Sequence, residues 1–573
     1  MAKIILLPAE VSRKIAAGEV IERPFSVVKE LVENALDAGA SSIRIELEAG
    51  GKKLVRVADD GCGMSREDAL LAFERHATSK IREEADLERI STLGFRGEAL
   101  ASIAAVSRLT LRTSEGGESG IEVEREGERL VSVREVGAAR GTSVEVRGLF
   151  FNLPARLKFL KSDSSELGHS AKWLTSIACA YFGVAFSLVH GPRRLFDWPK
   201  VGTLEERLYQ VYGKDFIDRL MAVDHIEAGS RVRGFVSRPP SGRADRSQQF
   251  FYVNGRPVKD KVMQAAVNQA FRPLLEKNRH AEAFLFLDHP CGDVDVNVHP
   301  AKAEVRFRDS QAVFRAIRRS IEGAVLREGS VKAVPLIVEA ETVRSSFSVE
   351  EPRLGYLFGP AGERPVDEGG PRPETEAEPG GSPAGDLKVL GQFLDMYIVA
   401  ASAEGIFVID QHNAHEKVLF EKYKEIGRDR RWPRRLSLVP QLFDLSPSEV
   451  VSFEENKDLF SANGFGVEEA GGRTYALKEY PDIFREEEAR DIFRSLLAEI
   501  KTEKLEGRQD KLLATLACKT AVKAGEPLAR PQMEHLVLEL FRLPNHALCP
   551  HGRPILLKME RGRIDKALRR PSN

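Results

Sequence analysis

At 573 residues the chain is too long for one hydrophobic core, so two to four domains are expected. Charged residues make up 30% of it, yet the net charge is -1, which excludes a globally cationic nucleic-acid binder and leaves any nucleic-acid contact to local basic patches. Five scattered cysteines argue against a disulfide framework, the early apolar run Ile4–Leu7 is too short for a signal segment, and nothing approaches a membrane span. A soluble, cytoplasmic protein with no membrane partner is expected.

The stretch Lys29–Gly39, KELVENALDAG, predicts an amphipathic helix. Val27, Val28, Leu31, Val32, Ala35 and Leu36 form one apolar stripe at 3.6-residue spacing, and Gly39 supplies the stop. Glu30 and Asn34, at i and i+4, share a neighbouring strip, whereas Glu33 is out of step with it. A carboxylate and a carboxamide so stacked fit a water and a hard cation, two parts of a nucleotide hydrolase, although such pairs are common on solvated faces too. Next, Ile43, Ile45 and Leu47 alternate, Gly50-Gly51 turns the chain, and Val55 and Val57 alternate on the return. Period two puts Asp59 on the face of Val55 and Val57. A carboxylate reaching toward an apolar layer needs a donor, and an adenine amine is one candidate. Gly61 and Gly63 in DDGCG leave room for a flat base, or form an ordinary hairpin-end turn.

Two further stretches follow, FERHATSK over Phe73–Lys80 and TLGFRGEAL over Thr92–Leu100. Gly94 and Gly97 bracket Phe95 and Arg96 before an apolar helix over Glu98–Val106. A glycine-flanked turn entering a helix offers free backbone N–H groups to phosphate. Ser65–Leu93 reads as a mobile lid, with Thr78, Ser79 and Lys80 as phosphate contacts. The Walker pattern is absent, which excludes a P-loop. Gly141–Val146 reads as a strand that opens with the hydroxyl of Thr142.

E-x-x-x-N, D-x-G-x-G, G-F-R-G-E-A-L and the G-T strand resemble the four ATP-site motifs of type II topoisomerase ATPase subunits, large heat-shock chaperones, histidine kinases and MutL proteins. The spellings AAGEVIERP, KELVENALDAGA, DDGCGM, RHATSK and GFRGEALASI, in that order, are similar to those of the MutL family of DNA mismatch repair proteins. The resemblance implies that Glu30 is the general base for the attacking water, that Asn34 carries Mg2+, and that Asp59 binds adenine beside Gly61 and Gly63. It implies that Gly94, Phe95, Arg96 and Gly97 hold the ATP phosphates with Thr78, Ser79 and Lys80, and that Thr142 supports the base pocket. A site whose lid must close first turns over slowly, as a conformational timer does.

Leu204–Phe216 then reads as a helix, Gln248–Val253 as a strand before an Asn254-Gly255 turn, Lys261–Phe271 as a helix and Ala283–Leu287 as a strand. Two strands joined by a helix predict a β-α-β crossover. In DVDVNVHPAKAEVRF, His299-Pro300 interrupts the alternation and leaves Lys302 on a loop. By resemblance this lysine reaches back to the γ-phosphate. Arg256 in VNGRPV, aided by Lys259 and Lys261, is the candidate DNA-backbone contact, with a hairpin-tip arginine in water as the equal alternative. Glu351–Asp386 is rich in Pro, Gly and Glu and reads as a disordered tether.

In the last two hundred residues, Asp410 ends a strand and opens DQHNAHEKVLFEKY, which places His412, Glu416 and Glu421 near one another. His412 and Glu416, at i and i+4, suit zinc or manganese. Cys549-Pro550-His551 offers a second ligand pair, while an isolated helical cysteine such as Cys518 in LACKTAVKAG is more often a buried apolar residue. These three segments resemble the metal site of MutL proteins that nick DNA. That resemblance makes Asp410 and Glu416 catalytic and gives a two-metal site to His412, Glu416, Cys518, Cys549 and His551, with Mn2+ and/or Zn2+ as the ion. Three departures stand out. Asn413 replaces the usual Ala, the extreme C-terminus IDKALRRPSN lacks the aromatic of the usual F-x-R ending, and the sliding-clamp motif survives only as Arg435-Leu436-Ser437-Leu438-Val439-Pro440.

The expected fold is α/β (α+β) and multidomain. It comprises an ATPase α/β sandwich over residues 1–200, a crossover βαβ transducer (ribosomal-S5-like) domain over 201–330, a flexible linker over 331–386 and a mixed α/β dimerisation and endonuclease domain over 387–573. The expected function is an ATP-gated homodimeric DNA clamp, recruited by a MutS-like mismatch sensor and coupled, if at all, to the replication sliding clamp. The alternative is a matchmaker scaffold that recruits a separate nuclease and cuts nothing.

Overall fold

The computed structural model describes all residues except 1–17, 19, 75, 81–91, 95–96, 118, 228, 244, 276–278, 296–304, 331–386, 430–431, 501–506, 524 and 569–573. Two compact units emerge, the first holding the residues up to Pro335 and the second most of those after Leu387. Among the described residues no helix is long and apolar enough to cross a membrane.

The helix that leads into the first sheet, α1, spans Pro24–Asp37, with Pro24 at its start and Gly39 beyond its end at φ 71°. Its stripe of Val27, Val28, Leu31, Val32 and Ala35 is buried. Beyond it run β1 (Ser42–Glu48) and β2 (Leu54–Asp59), paired antiparallel with Ile43 opposite Asp59. The sheet continues through β3 (Arg108–Ser114), β4 (Gly120–Glu126), β5 (Arg129–Val136), β6 (Gly141–Arg147), β7 (Ala185–His190) and β8 (Arg193–Trp198). The order is β5-β4-β3-β6-β2-β1-β7-β8, antiparallel except for β1 against β7. Helix α1 packs on β2 and against α2 (Asp163–Ala180), so helices and sheet close one core.

The stretch expected as a single lid contains a helix at Arg66–Leu71, capped by Ser65, with Ala69 and Phe73 buried. The helix expected over Leu204–Phe216 is two, Leu204–Tyr212 and Lys214–Ile217, because Gly213 sits at φ 83° between them. A second sheet follows from β9 (Leu220–Glu227), β10 (Ser230–Ser237), β11 (Gln249–Val253), β12 (Arg256–Val258) and β13 (Ala283–Asp288), in the order β12-β11-β13-β10-β9. β11 and β13 are parallel, with α3 (Lys261–Phe271) between them in sequence, which is the expected crossover. Asn254 and Gly255, at φ 49° and 78°, make the tight turn between β11 and β12.

In the second unit, β16 (Lys388–Phe393), β17 (Tyr397–Ser402) and β18 (Gly405–Asp410) pair with a late strand, Leu556–Glu560, which lies beside β18. Helix Gln411–Asp429 follows β18 directly and packs against helices Arg508–Thr520 and Arg530–Arg542. The late strand returns the Cys549–Pro554 segment to the end of β18, where the Asp410 N–H donates to the Ile555 carbonyl at 2.8 Å.

Candidate nucleotide pocket and metal centre

Asp59 ends β2 opposite Thr142 of β6, so the strand pairing that builds the core also delivers the carboxylate to the pocket. It is half-buried, and its Oδ1 accepts the Gly61 N–H at 2.9 Å. Burial raises its pKa above the ordinary carboxylate range, against backbone hydrogen bonds from Gly61 and Thr142 that lower it. The Thr113 hydroxyl donates to the Gly141 carbonyl at 3.1 Å and accepts from Met64 N–H at 2.9 Å. Thr142 Oγ1, 2.9 Å from Thr113 Oγ1, therefore donates to it.

On α1, Lys29 Nζ lies 3.5 Å from Glu30 and 3.6 Å from Glu33. Asn34 Oδ1 accepts from Lys80 Nζ at 2.9 Å. Lys80 Nζ is also 2.5 Å from Asp37 Oδ2, and the Asp37 carboxylate accepts the N–H groups of Leu93 and Gly94, each at 2.9 Å. Asn34, Lys80 and Gly94 thus converge. They do so around Asp37, which the sequence reading passed over although it continues the Glu30–Asn34 strip at i+7. Glu33, set aside as out of step, is buried. The Thr78 hydroxyl accepts Lys80 N–H at 3.2 Å, and the His76 N–H donates to the Gly97 carbonyl at 3.1 Å, which ties FERHATSK to the glycine turn. Ser79 is exposed. Phe95, Arg96 and Lys302 lie outside the described residues.

Two expectations need correction. Arg256 is buried, 8% exposed, and donates to the carbonyls of Thr92 and Leu93, so its guanidinium is spent on the start of the glycine turn and does not face a DNA backbone. Lys259 and Lys261 beside it remain exposed. The room left by Gly63 serves the protein's own backbone: at φ 73° an added Cβ would fall 2.0 Å from the Ser114 carbonyl oxygen, and one on Gly61 would fall 2.9 Å from Ala38 O and Asp59 Oδ1.

In the second unit, Asp410 caps helix Gln411–Asp429, its Oδ1 accepting Asn413 N–H at 2.9 Å. One turn on, Glu416 is 1% exposed. Ligand atoms of Glu416, Cys549 and His551 lie within 4.8 Å of one another, drawn from segments more than a hundred residues apart in sequence. His551 Nδ1 abuts Glu416 Oε1, so imidazole and buried carboxylate meet directly. A buried carboxylate beside a thiol and an imidazole is a donor set that fits a cation of the zinc or manganese kind. The Cys549 turn is closed by Gly552, whose N–H donates to the Cys549 carbonyl at 2.9 Å and whose φ is 77°.

His412 does not join that triad, but its Nδ1 lies 2.8 Å from the Val522 carbonyl, which fixes the proton there and leaves Nε2 free to ligate. Cys518 stands outside the triad as well. Burial raises its thiol pKa, and the nearby Glu416 charge adds to that. Glu421 is turned away and bonds Lys417 at 2.7 Å, so the expected grouping with His412 and Glu416 fails. His415, which the sequence reading passed over, is buried and accepts Val522 N–H at 3.0 Å; burial lowers its pKa to about 4. The Asn413 carboxamide donates to the Pro554 carbonyl at 3.3 Å, tying the helix to the cysteine–histidine segment.

Three family models match: histidine kinase-, DNA gyrase B- and HSP90-like ATPase over residues 22–126, DNA mismatch repair protein, C-terminal domain, over 208–326, and MutL C terminal dimerisation domain over 390–528. DNA mismatch repair protein MutL of Trichlorobacter lovleyi is 41% identical over 596 residues, covering 99% of each chain. That of Koribacter versatilis is 38% identical over 646 residues, covering all of both. Among solved structures, the N-terminal domain of a DNA repair protein superposes with a TM-score of 0.50 at 25% identity, covering 56% of this chain and 98% of that one.

Proposed function

Because the chain belongs to the MutL family of DNA mismatch repair proteins, with an ATPase domain and a C-terminal dimerisation domain, we propose that it is an ATP-gated homodimeric DNA clamp that nicks DNA at its C-terminal metal centre. A MutS-like mismatch sensor recruits it. In the pocket, the Asp59 carboxylate accepts the adenine amine, with Thr142 supporting the base. Gly94, Gly97, Thr78, Ser79 and Lys80 hold the phosphates, together with Phe95, Arg96 and Lys302. Glu30 takes the proton of the attacking water, with Lys29 Nζ 3.5 Å from its carboxylate. Asn34 Oδ1 is the oxygen that would hold Mg2+, and the ammonium already on it marks it as a cation acceptor.

The nicking reading is supported above all by one observation, the meeting of the buried Glu416 carboxylate with Cys549 and His551, their ligand atoms within 4.8 Å of one another. Glu416, Cys549 and His551, with His412 and Cys518, are the residues that would hold Mn2+ or Zn2+. When bound, such ions polarise a phosphodiester and acidify water. Asp410 fixes the start of the helix carrying His412 and Glu416 and is proposed to act on the attacking water. DNA enters by way of exposed cations such as Lys259 and Lys261. Coupling to a sliding clamp would use the strand Arg434–Asp444, whose Leu436, Leu438 and Val439 stand exposed.

The test is nicking of supercoiled plasmid with Mn2+ by the wild type and by Asp410→Asn. Activity in the wild type and none in the variant is expected. Equal activity in both, or none in either, would favour the scaffold that cuts nothing.

A further inference from the structure

The donors gathered for a nucleotide's phosphates are already satisfied by an anion of the protein itself. The Asp37 carboxylate accepts two consecutive backbone N–H groups, of Leu93 and Gly94, and the ammonium of Lys80. Two adjacent backbone amides plus an ammonium around one anion form the kind of nest that binds phosphate. Lys80 also reaches Asn34 Oδ1, so the same ammonium covers the oxygen that would hold the divalent cation. The packing is close: a Cβ on Gly94 would fall 3.1 Å from Lys80 Nζ and 3.5 Å from Asn34 Oδ1. Asp37 and Lys80 side chains are only 7% and 19% exposed, so this is an interior ion pair and not a surface bridge.

We propose that Asp37 is a built-in occupant of the phosphate site, and that a nucleoside triphosphate with its divalent cation binds by exchange against it. This rests on the reading of Gly94 and Lys80 as phosphate donors. On exchange, phosphate oxygens take the Gly94 N–H and the Lys80 ammonium, and Asn34 Oδ1 is released to the cation. The cation that remains near Asp37 is the buried Arg256 guanidinium, held on the carbonyls of Thr92 and Leu93. Asp37 is thus a positioning residue that holds the Lys80 ammonium and the Gly94 N–H until phosphate takes them, and so sets the cost of binding. The base half of the pocket, around Asp59, takes no part in the exchange.

The test measures calorimetric binding of β,γ-imido ATP with Mg2+, and of adenosine alone, to the full chain and to Asp37→Asn. Removing the competing anion should tighten β,γ-imido ATP about tenfold while adenosine, which carries no phosphate, binds unchanged. Unchanged or weaker β,γ-imido ATP binding with adenosine binding retained would overturn the proposal and make Asp37 a fixed anchor of the turn. Should Asp37→Asn lose adenosine, Asp37→Ser is read in the same way, and loss of adenosine in both variants also overturns it. A wild type that binds neither ligand would instead refute the pocket itself, and the exchange with it.

Discussion

Asp59 shows how a single side chain can trade stability for binding. Its carboxyl is held above its usual pKa by burial. At a pH below the unfolded value both states are protonated and the site is neutral in its effect. As pH rises through the folded value, the ionised form costs the folded state more than the unfolded one. Asp59→Asn should therefore raise the melting temperature at pH 7, leave it unchanged near pH 3, and weaken adenosine binding on the order of 10–100-fold through a mismatched donor. A melting temperature that falls at pH 7 would remove the burial argument. Arg256 is the complementary case. Arg256→Met should lower the melting temperature by stranding carbonyls otherwise satisfied by the guanidinium, yet leave the salt dependence of DNA binding alone. Lys261→Ala should reduce that slope by about one, as expected for one lost phosphate contact. A reduced slope in Arg256→Met would return that residue to the DNA surface.

The elements carry the chemistry because their periodicities are strict, and this decided what the sequence revealed. Helix α1, the β1–β2 hairpin and the β11–α3–β13 crossover were legible because each buries one regular face, and burial enforces the 3.6 or 2.0 spacing. Asp37 and Glu33 were not, since a polar residue's partners come from segments distant in sequence, and no local pattern encodes them. The same reason hid the burial of Arg256: a turn arginine reads as solvated until the Thr92–Leu93 carbonyls arrive beside it. Gly213 broke a helix that its apolar spacing had joined, because a positive φ outweighs the pattern. In the second unit the cysteine–histidine turn is an element in its own right, closed by Gly552 and held to the helix by Asn413. Cys549→Ser and Glu416→Gln should each weaken zinc or manganese binding by more than the roughly 10–100-fold in affinity that outer partners cost, and so lower the metal counted per chain by elemental analysis. Full metal content in both variants would dissolve the triad.

Across the whole molecule, the chain holds two candidate centres far apart in sequence, one on α1 and the first sheet, the other where the late strand returns to β18. Full-length similarity to MutL proteins accounts for the presence of both compact units on one chain. If each centre does its own chemistry, damage to one must leave the other's intrinsic activity standing. ATP turnover and Mn2+-dependent plasmid nicking, measured side by side on Glu30→Ala and Asp410→Asn, test this most directly. Glu30→Ala should lose ATP turnover by about 10²–10⁴-fold and still nick with Mn2+, while Asp410→Asn should hydrolyse ATP normally and not nick. ATP turnover that survives in Glu30→Ala, or nicking that survives in Asp410→Asn, would contradict the account.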